Sequence, residues 1–352
     1  MSPSPLPIFD GHNDTLLRLY RKGLSVSSFL ERGQEGHLDL PRARQGGFAG
    51  GMFACFVPSD TPDEDLPAPE RGGYAVPFPG TPSRERALAV TTALAARLSR
   101  LERASGGQVT VCRTAAEIGA ALAQGRLAAV LHVEGAEAID PELDALELLY
   151  AAGLRSIGPV WSRPNVFGHG VPFRFPSSPD TGPGLTDAGK ALVRACNQLR
   201  MVLDLSHLNE AGFWDVAALS EAPLVATHSN AHALCPCSRN LTDRQLDAIR
   251  ERGGLVGLNL AVSFLRPDGR NDADTPLATL CDHVEHLVGR LGIDGVALGS
   301  DFDGCTVPAV IGDAAGLPRL LDALRDRGWG EAELAKFAHE NWLRVLKAIW
   351  GG

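Results

Sequence analysis

Short, almost continuously apolar runs recur along this chain, separated by stretches in which apolar residues return every three or four positions. Eight runs read as strands: 6–9, 48–57, 127–133, 155–161, 201–206, 223–227, 254–260 and 295–299. Runs so short and unbroken suit parallel strands buried on both faces, because a half-exposed strand would alternate. The longest helical stretch, SRERALAVTTALAARLSRLERA, starts at Ser83, and others start near Pro141, Thr186, Asn209, Thr242 and Thr275. The TD pairs at 186–187 and 242–243 carry N-cap chemistry. Eight strands alternating with helices predict an α/β fold, a (β/α)8 TIM barrel. A ninth β-rich run, QVTVC at 108–112, fits an extra piece ahead of the third barrel strand.

Two connections, 58–82 and 165–183, are rich in Pro, Gly and charge and exceed ordinary loop length, so they read as lids or substrate loops. The segment EAELAKFAHENWLRVLKAI has helical spacing and is expected to pack on the barrel. No internal repeat, low-complexity tract or linker interrupts the pattern. Residues 1–352 therefore read as one barrel domain with a C-terminal helical segment.

Composition narrows the function. A hydrophobic share of 44% over 352 residues can fill one large core. The net charge of −9 argues against a nucleic-acid surface, and no Lys/Arg block supports membrane attachment. No apolar run approaches the ~18–20 residues that span a bilayer. Neither an export signal nor a lipid-anchor motif is recognisable, so a soluble cytoplasmic protein with reduced cysteines is expected. The CPC run at 235–237 looks like a soft-metal fragment but lacks matching partners, and packing is the simpler reading.

The stretch IFDGHNDTLL sets His12 and Asp14 two residues apart. Asp14 could simply cap a helix starting at Thr15, with His12 a satisfied loop residue. Other strand ends weigh against that. In a barrel the C-terminal ends of the strands carry the chemistry. Glu134 follows the third strand, His207 ends the fifth, His228 the sixth and Asp301 the eighth. In extended chain, residues i and i+2 point the same way, about 6.6 Å apart, so both can converge on one ion. Three histidines with three carboxylates suit zinc or a similar ion better than calcium or magnesium. They are also too many for one tetrahedral ion, and two ions bridged by a carboxylate use them better. His132 is open between a supporting and a core role, Asp303 reads as a supporting or turn residue, and Asp39 as a loop or cap residue.

Taken in order, FDGHND, HVEGAEAI, LDLSH, THSNAHALCPCSRN and GSDFDG resemble the membrane (renal-type) dipeptidases, peptidase family M19 of the amidohydrolase superfamily. The resemblance runs from about residue 8 to the closing ENWLRVL. It implies a binuclear zinc barrel that hydrolyses dipeptides, including some with a D-residue at the C-terminal position. His12 and Asp14 would hold one zinc, His207 and His228 the other, with Glu134 and a water or hydroxide bridging the two. Asp301 would carry a proton from that water to the leaving amine, and Arg239 would hold the substrate's terminal carboxylate in a planar fork. The resemblance also makes a homodimer an expectation.

Two departures stand out. Many relatives place a histidine, thought to polarise the scissile carbonyl, where this chain has Trp161 followed by Ser162. Either His169 enters from the loop, or the carbonyl relies on metal alone. The animal enzymes are exported and lipid-anchored, and this chain resembles the soluble bacterial members instead. The alternative activity is that of a metal-dependent amidohydrolase acting on another amide or a lactone.

Overall fold

The computed structural model describes residues 5–59 and 72–351. Eight parallel strands form the barrel: Ile8–Asn13, Phe48–Phe56, Leu127–Glu134, Leu154–Gly158, Val202–Leu203, Val225–Ala226, Leu255–Leu258 and Val296–Leu298. Their spatial order is 5-4-3-2-1-8-7-6, that of a (β/α)8 barrel. The fifth and sixth strands meet at a seam, where the parallel bridge Asp204↔Val225 and a hydrogen bond from Leu205 N to Val225 O (2.8 Å) join them. The strand Val109–Val111 pairs with the first half of the third strand, Val109↔Leu127 to Val111↔Ala129, ahead of the half that the fourth strand takes. It is the extra piece the sequence suggested.

Most strand positions match expectation, and the differences have physical causes. The first strand is Ile8–Asn13 rather than 6–9, because the buried Asp10, His12 and Asn13 extend it past its apolar run. The fifth and sixth strands, expected at 201–206 and 223–227, keep regular ladders over two residues each, since pairing thins at the seam. Ser83, Thr186, Asn209 and Thr242 all cap helices, each accepting a backbone N–H three residues on. Asp39 likewise caps the helix Leu40–Gly46.

Phe9, Met52, Val130, Val202, Val225, Leu255 and Ala297, from seven of the eight strands, form one apolar cluster with Trp342, Val345, Leu346 and Ile349. The closing helix Asn341–Trp350 thus plugs the barrel interior, and Trp342 donates its indole N–H to Leu298 O (2.9 Å). Gly257 and Gly299 both face the Thr227 carbonyl so closely that a Cβ on either would collide with it. The two long loops meet above the barrel, where Tyr74–Ala75 pairs antiparallel with Arg174–Phe175. Part of the first loop, residues 60–71, lies outside the described residues. Cys235 and Cys237 pack with Tyr74, Phe175 and Phe264 beneath this hairpin. Among the described residues, no helix is long and apolar enough to cross a membrane.

Candidate metal centre

The strand ends bring His12, Asp14, Glu134, His207, His228 and Asp301 together in one buried cluster. His12 lies in the last turn of pleat of the first strand, and Asp14 immediately follows it. Asp14 occupies the N-cap position of the helix Thr15–Arg21, yet its side chain makes no cap hydrogen bond. Its Oδ1 has no hydrogen-bond partner, and its Oδ2 lies 3.4 Å from His12 Nε2. Helix capping does not explain Asp14.

Glu134 divides the cluster in two. Its Oε2 is 3.6 Å from His12 Nε2, while its Oε1 is 2.9 Å from His207 Nε2 and 3.4 Å from His228 Nε2. The two latter nitrogens are themselves 3.2 Å apart. Ligand atoms about 2.1 Å from a tetrahedral ion lie roughly 3.4 Å from one another. The spacings here match that figure on both sides of Glu134. Donor atoms of Glu134, His207 and His228 all lie within 4.8 Å of one another, as do those of His12, Asp14 and Asp301.

Electrostatics agree with the spacing. Burying three carboxylates together is costly unless positive charge is held among them. Burial works against a charged His12, yet Glu134, Asp14 and Asp301 lift it to about 10. Burial raises Glu134 well above the usual carboxylate range despite His12. Burial, with the nearby positive charges of Arg239 and His12, holds His207 and His228 well below their ordinary value, so both stay neutral. Both His12 ring nitrogens are buried without a hydrogen-bond partner. Neutral imidazoles, convergent carboxylates and an orphaned buried histidine are the donor set that divalent cations require.

Asp301 adopts a left-handed backbone, φ +59°, pinned by hydrogen bonds from its N–H to His12 O (3.0 Å) and from Asn259 Nδ2 to its Oδ2 (3.1 Å). Burial raises its carboxyl to about 6, with His12 opposing and Asp14 reinforcing the shift. Gly304 lies against Asp14 and Asp301, where any Cβ would run into both carboxylates. Asp303 accepts from Arg18 Nε (2.9 Å), Thr15 Oγ1 (3.1 Å) and His37 N (2.6 Å), which anchors the Asp301 turn to the first helix.

Arg239 is buried, donating from Nη1 to Ser229 Oγ and from Nη2 to His228 O, each at 2.9 Å. Its Nε has no hydrogen-bond partner. Trp161 packs at a tilt against Phe56 at 4.8 Å and against the His207 ring at 5.8 Å, forming an apolar wall beside the cluster. His169 is not drawn into the cluster; its Nδ1 faces Gly184 O at 3.4 Å. His132 sits edge-on to His12 at 5.3 Å, its Nδ1 paired with Ser156 Oγ at 2.8 Å. It supports the site from beneath.

Sequence reasoning missed several supporting residues. Ser162 Oγ lies 2.8 Å from His207 Nδ1, Thr227 Oγ1 lies 2.8 Å from His228 Nδ1, and Asn259 holds Asp301. Asp204 belongs with His12 and His228 in a third group of convergent donor atoms. The available signal was polarity inside an apolar strand run, as in MVLDLSH and LVGLNLA.

The description that matches residues 4–350 is that of the membrane dipeptidases, peptidase family M19. An uncharacterised protein in the pqqA 5′ region of Klebsiella pneumoniae is 54% identical over 253 residues, covering 72% of this chain and 93% of that protein. A dipeptidase AC, a metallopeptidase of family M19, superposes with a TM-score of 0.94 at 54% identity over 99% of both chains. A metallopeptidase from Rhodobacter sphaeroides, solved with a phosphinate mimic of the dipeptide L-Ala-D-Ala, superposes at 0.93 with 52% identity over 99% of this chain and 100% of that one.

Proposed function

This chain belongs to the membrane dipeptidase family of metallopeptidases, and from that premise we propose a zinc-dependent dipeptidase with two ions in its centre and L-Xaa-D-Xaa dipeptides among its substrates. The observation that carries the reading is Glu134, whose two oxygens face separate groups of buried ligands. His12 and Asp14 would hold one ion, His207 and His228 the other, and Glu134 would bridge them. When bound, the ions supply an acidified water and draw electron density from the scissile carbonyl.

The chain's own groups supply the rest. Asp301, with a carboxyl near 6, can take a proton from the attacking water and return it to the departing amine nitrogen. Its Oδ2 is held by Asn259, which leaves Oδ1 for the transfer. Arg239 presents an uncommitted Nε–H to the substrate's terminal carboxylate while Ser229 and the His228 carbonyl fix its orientation. Trp161 puts an indole where many relatives carry an imidazole, and its ring bounds the pocket beside His207.

Arg239→Ala is expected to raise KM by about 30-fold, the equivalent of losing about 2 kcal/mol of paired charge, with little change in kcat. A fall in kcat alone would contradict the carboxylate-clamp role. The reading as a whole is tested by amine release from L,L and L,D dipeptides, with zinc restored and after chelation. Zinc-dependent cleavage supports it. A metal-loaded protein inert on every dipeptide, yet active on another amide or a lactone, would replace it with a different amidohydrolase activity.

A further inference from the structure

The barrel seam lies between the two strands whose ends carry His207 and His228. Asp204 bridges it. Its Oδ1 accepts from Ser206 N (3.0 Å), two residues further along the chain, and from Thr227 N (2.8 Å) across the seam. Its Oδ2 accepts from Thr227 Oγ1 at 2.6 Å. Thr227 Oγ1 in turn lies 2.8 Å from His228 Nδ1. All these groups are buried.

Counting protons fixes the direction of this chain. A hydroxyl has one hydrogen, and a carboxylate can only accept. The Thr227 hydrogen is therefore committed to Asp204. The remaining contact can form only if His228 Nδ1 carries the hydrogen and donates to Thr227 Oγ1. His228 Nε2 is then a bare lone pair, facing Glu134 Oε1 and His207 Nε2.

We propose that Asp204 is a positioning residue which, through Thr227, holds His228 in the Nδ1–H form and so keeps Nε2 free to bind metal. The same carboxylate ties the two histidine-bearing strands together where the ladder is thinnest. This rests on the reading of His228 as a ligand, but concerns how that ligand is prepared.

Asp204→Asn tests it. The amide keeps the size of the side chain while placing an N–H₂ opposite Thr227 Oγ1. Thr227 then accepts, its own hydrogen turns to His228 Nδ1, and the imidazole hydrogen moves to Nε2. Long-range ¹H–¹⁵N correlation spectra of the metal-free, ¹⁵N-histidine protein read this directly, with the His228 signals assigned by their loss in His228→Gln. The wild type is expected to show Nδ1–H and Asp204→Asn to show Nε2–H. Zinc affinity of the variant, measured by chelator competition, should fall about 10- to 100-fold.

Thr227→Val, which removes the relay without altering side-chain shape, should also lose zinc affinity, and Thr227→Ser should restore it. Should Asp204→Asn fail to fold, this pair decides the matter, and unchanged affinity in Thr227→Val overturns the proposal. An Nε2–H form in the wild type, or unchanged tautomer and affinity in Asp204→Asn, also overturns it. The tautomer is read without substrate, so inactivity on dipeptides would leave this result standing while defeating the functional reading.

Discussion

Replacing Asp301 by asparagine is expected to leave metal content unchanged and to slow dipeptide hydrolysis by about 10²- to 10⁴-fold, the range a positioned proton carrier contributes. The substitution suits the site. Asparagine is among the few residues with a side chain that tolerate a left-handed backbone, so φ +59° at this position adds little strain. Its amide oxygen can still accept from Asn259 Nδ2. What it cannot do is take a proton and give it back. Metal analysis alongside steady-state kinetics separates two roles, because Asp301 also lies in ligand-like contact with His12 and Asp14. Loss of metal together with activity would make Asp301 a ligand, and a near-native rate would remove it from the chemistry.

The parts of this molecule legible in its sequence are those set by local pattern. The runs at Phe48–Phe56 and Leu127–Glu134 are long, largely apolar and flanked by strands on both edges, and both fall close to where the pattern puts them. The N-caps at Thr186 and Thr242 depend on contacts three residues away and were equally readable. The first strand was misplaced because its last four residues include buried polar groups, which interrupt the apolar signal that marks a strand. One of those interruptions, His12, together with Asp14 just past the strand, is what points to chemistry.

What escaped notice were groups whose meaning comes from distant partners. Ser162 meets His207 across 45 residues of chain, and Asn259 meets Asp301 across 42. Serine and asparagine at such positions have many ordinary uses, and only the closing of the barrel sets these two against the cluster. The role proposed for Arg239 comes from the family resemblance, and its packing suits that role. Its guanidinium is buried and oriented by Ser229 and a backbone carbonyl, so its direction is settled before substrate arrives.

The second large effect separates a bridging carboxylate from an ordinary ligand. Glu134→Gln preserves side-chain length but replaces one carboxylate oxygen with an N–H₂ group, which repels a cation. Whichever way the amide turns, one of the two ligand groups loses its carboxylate oxygen: the group at His12, opposite Oε2, or the group at His207 and His228, opposite Oε1. The oxygen that remains is neutral and binds more weakly. His207→Ala damages only one side, because His207 contacts Oε1 and His228 but has no described contact with Asp14. If Glu134 bridges two ions, His207→Ala should retain about one zinc per chain and Glu134→Gln less than one, against about two in the wild type. Activity of both variants should then fall by at least about 10²-fold, since a water acidified between two ions would depend on both. Zinc per chain, measured after dialysis, is the deciding quantity. Equal retention by the two variants would show that Glu134 serves one ion alone, and the two-ion reading would lose the geometry that carries it.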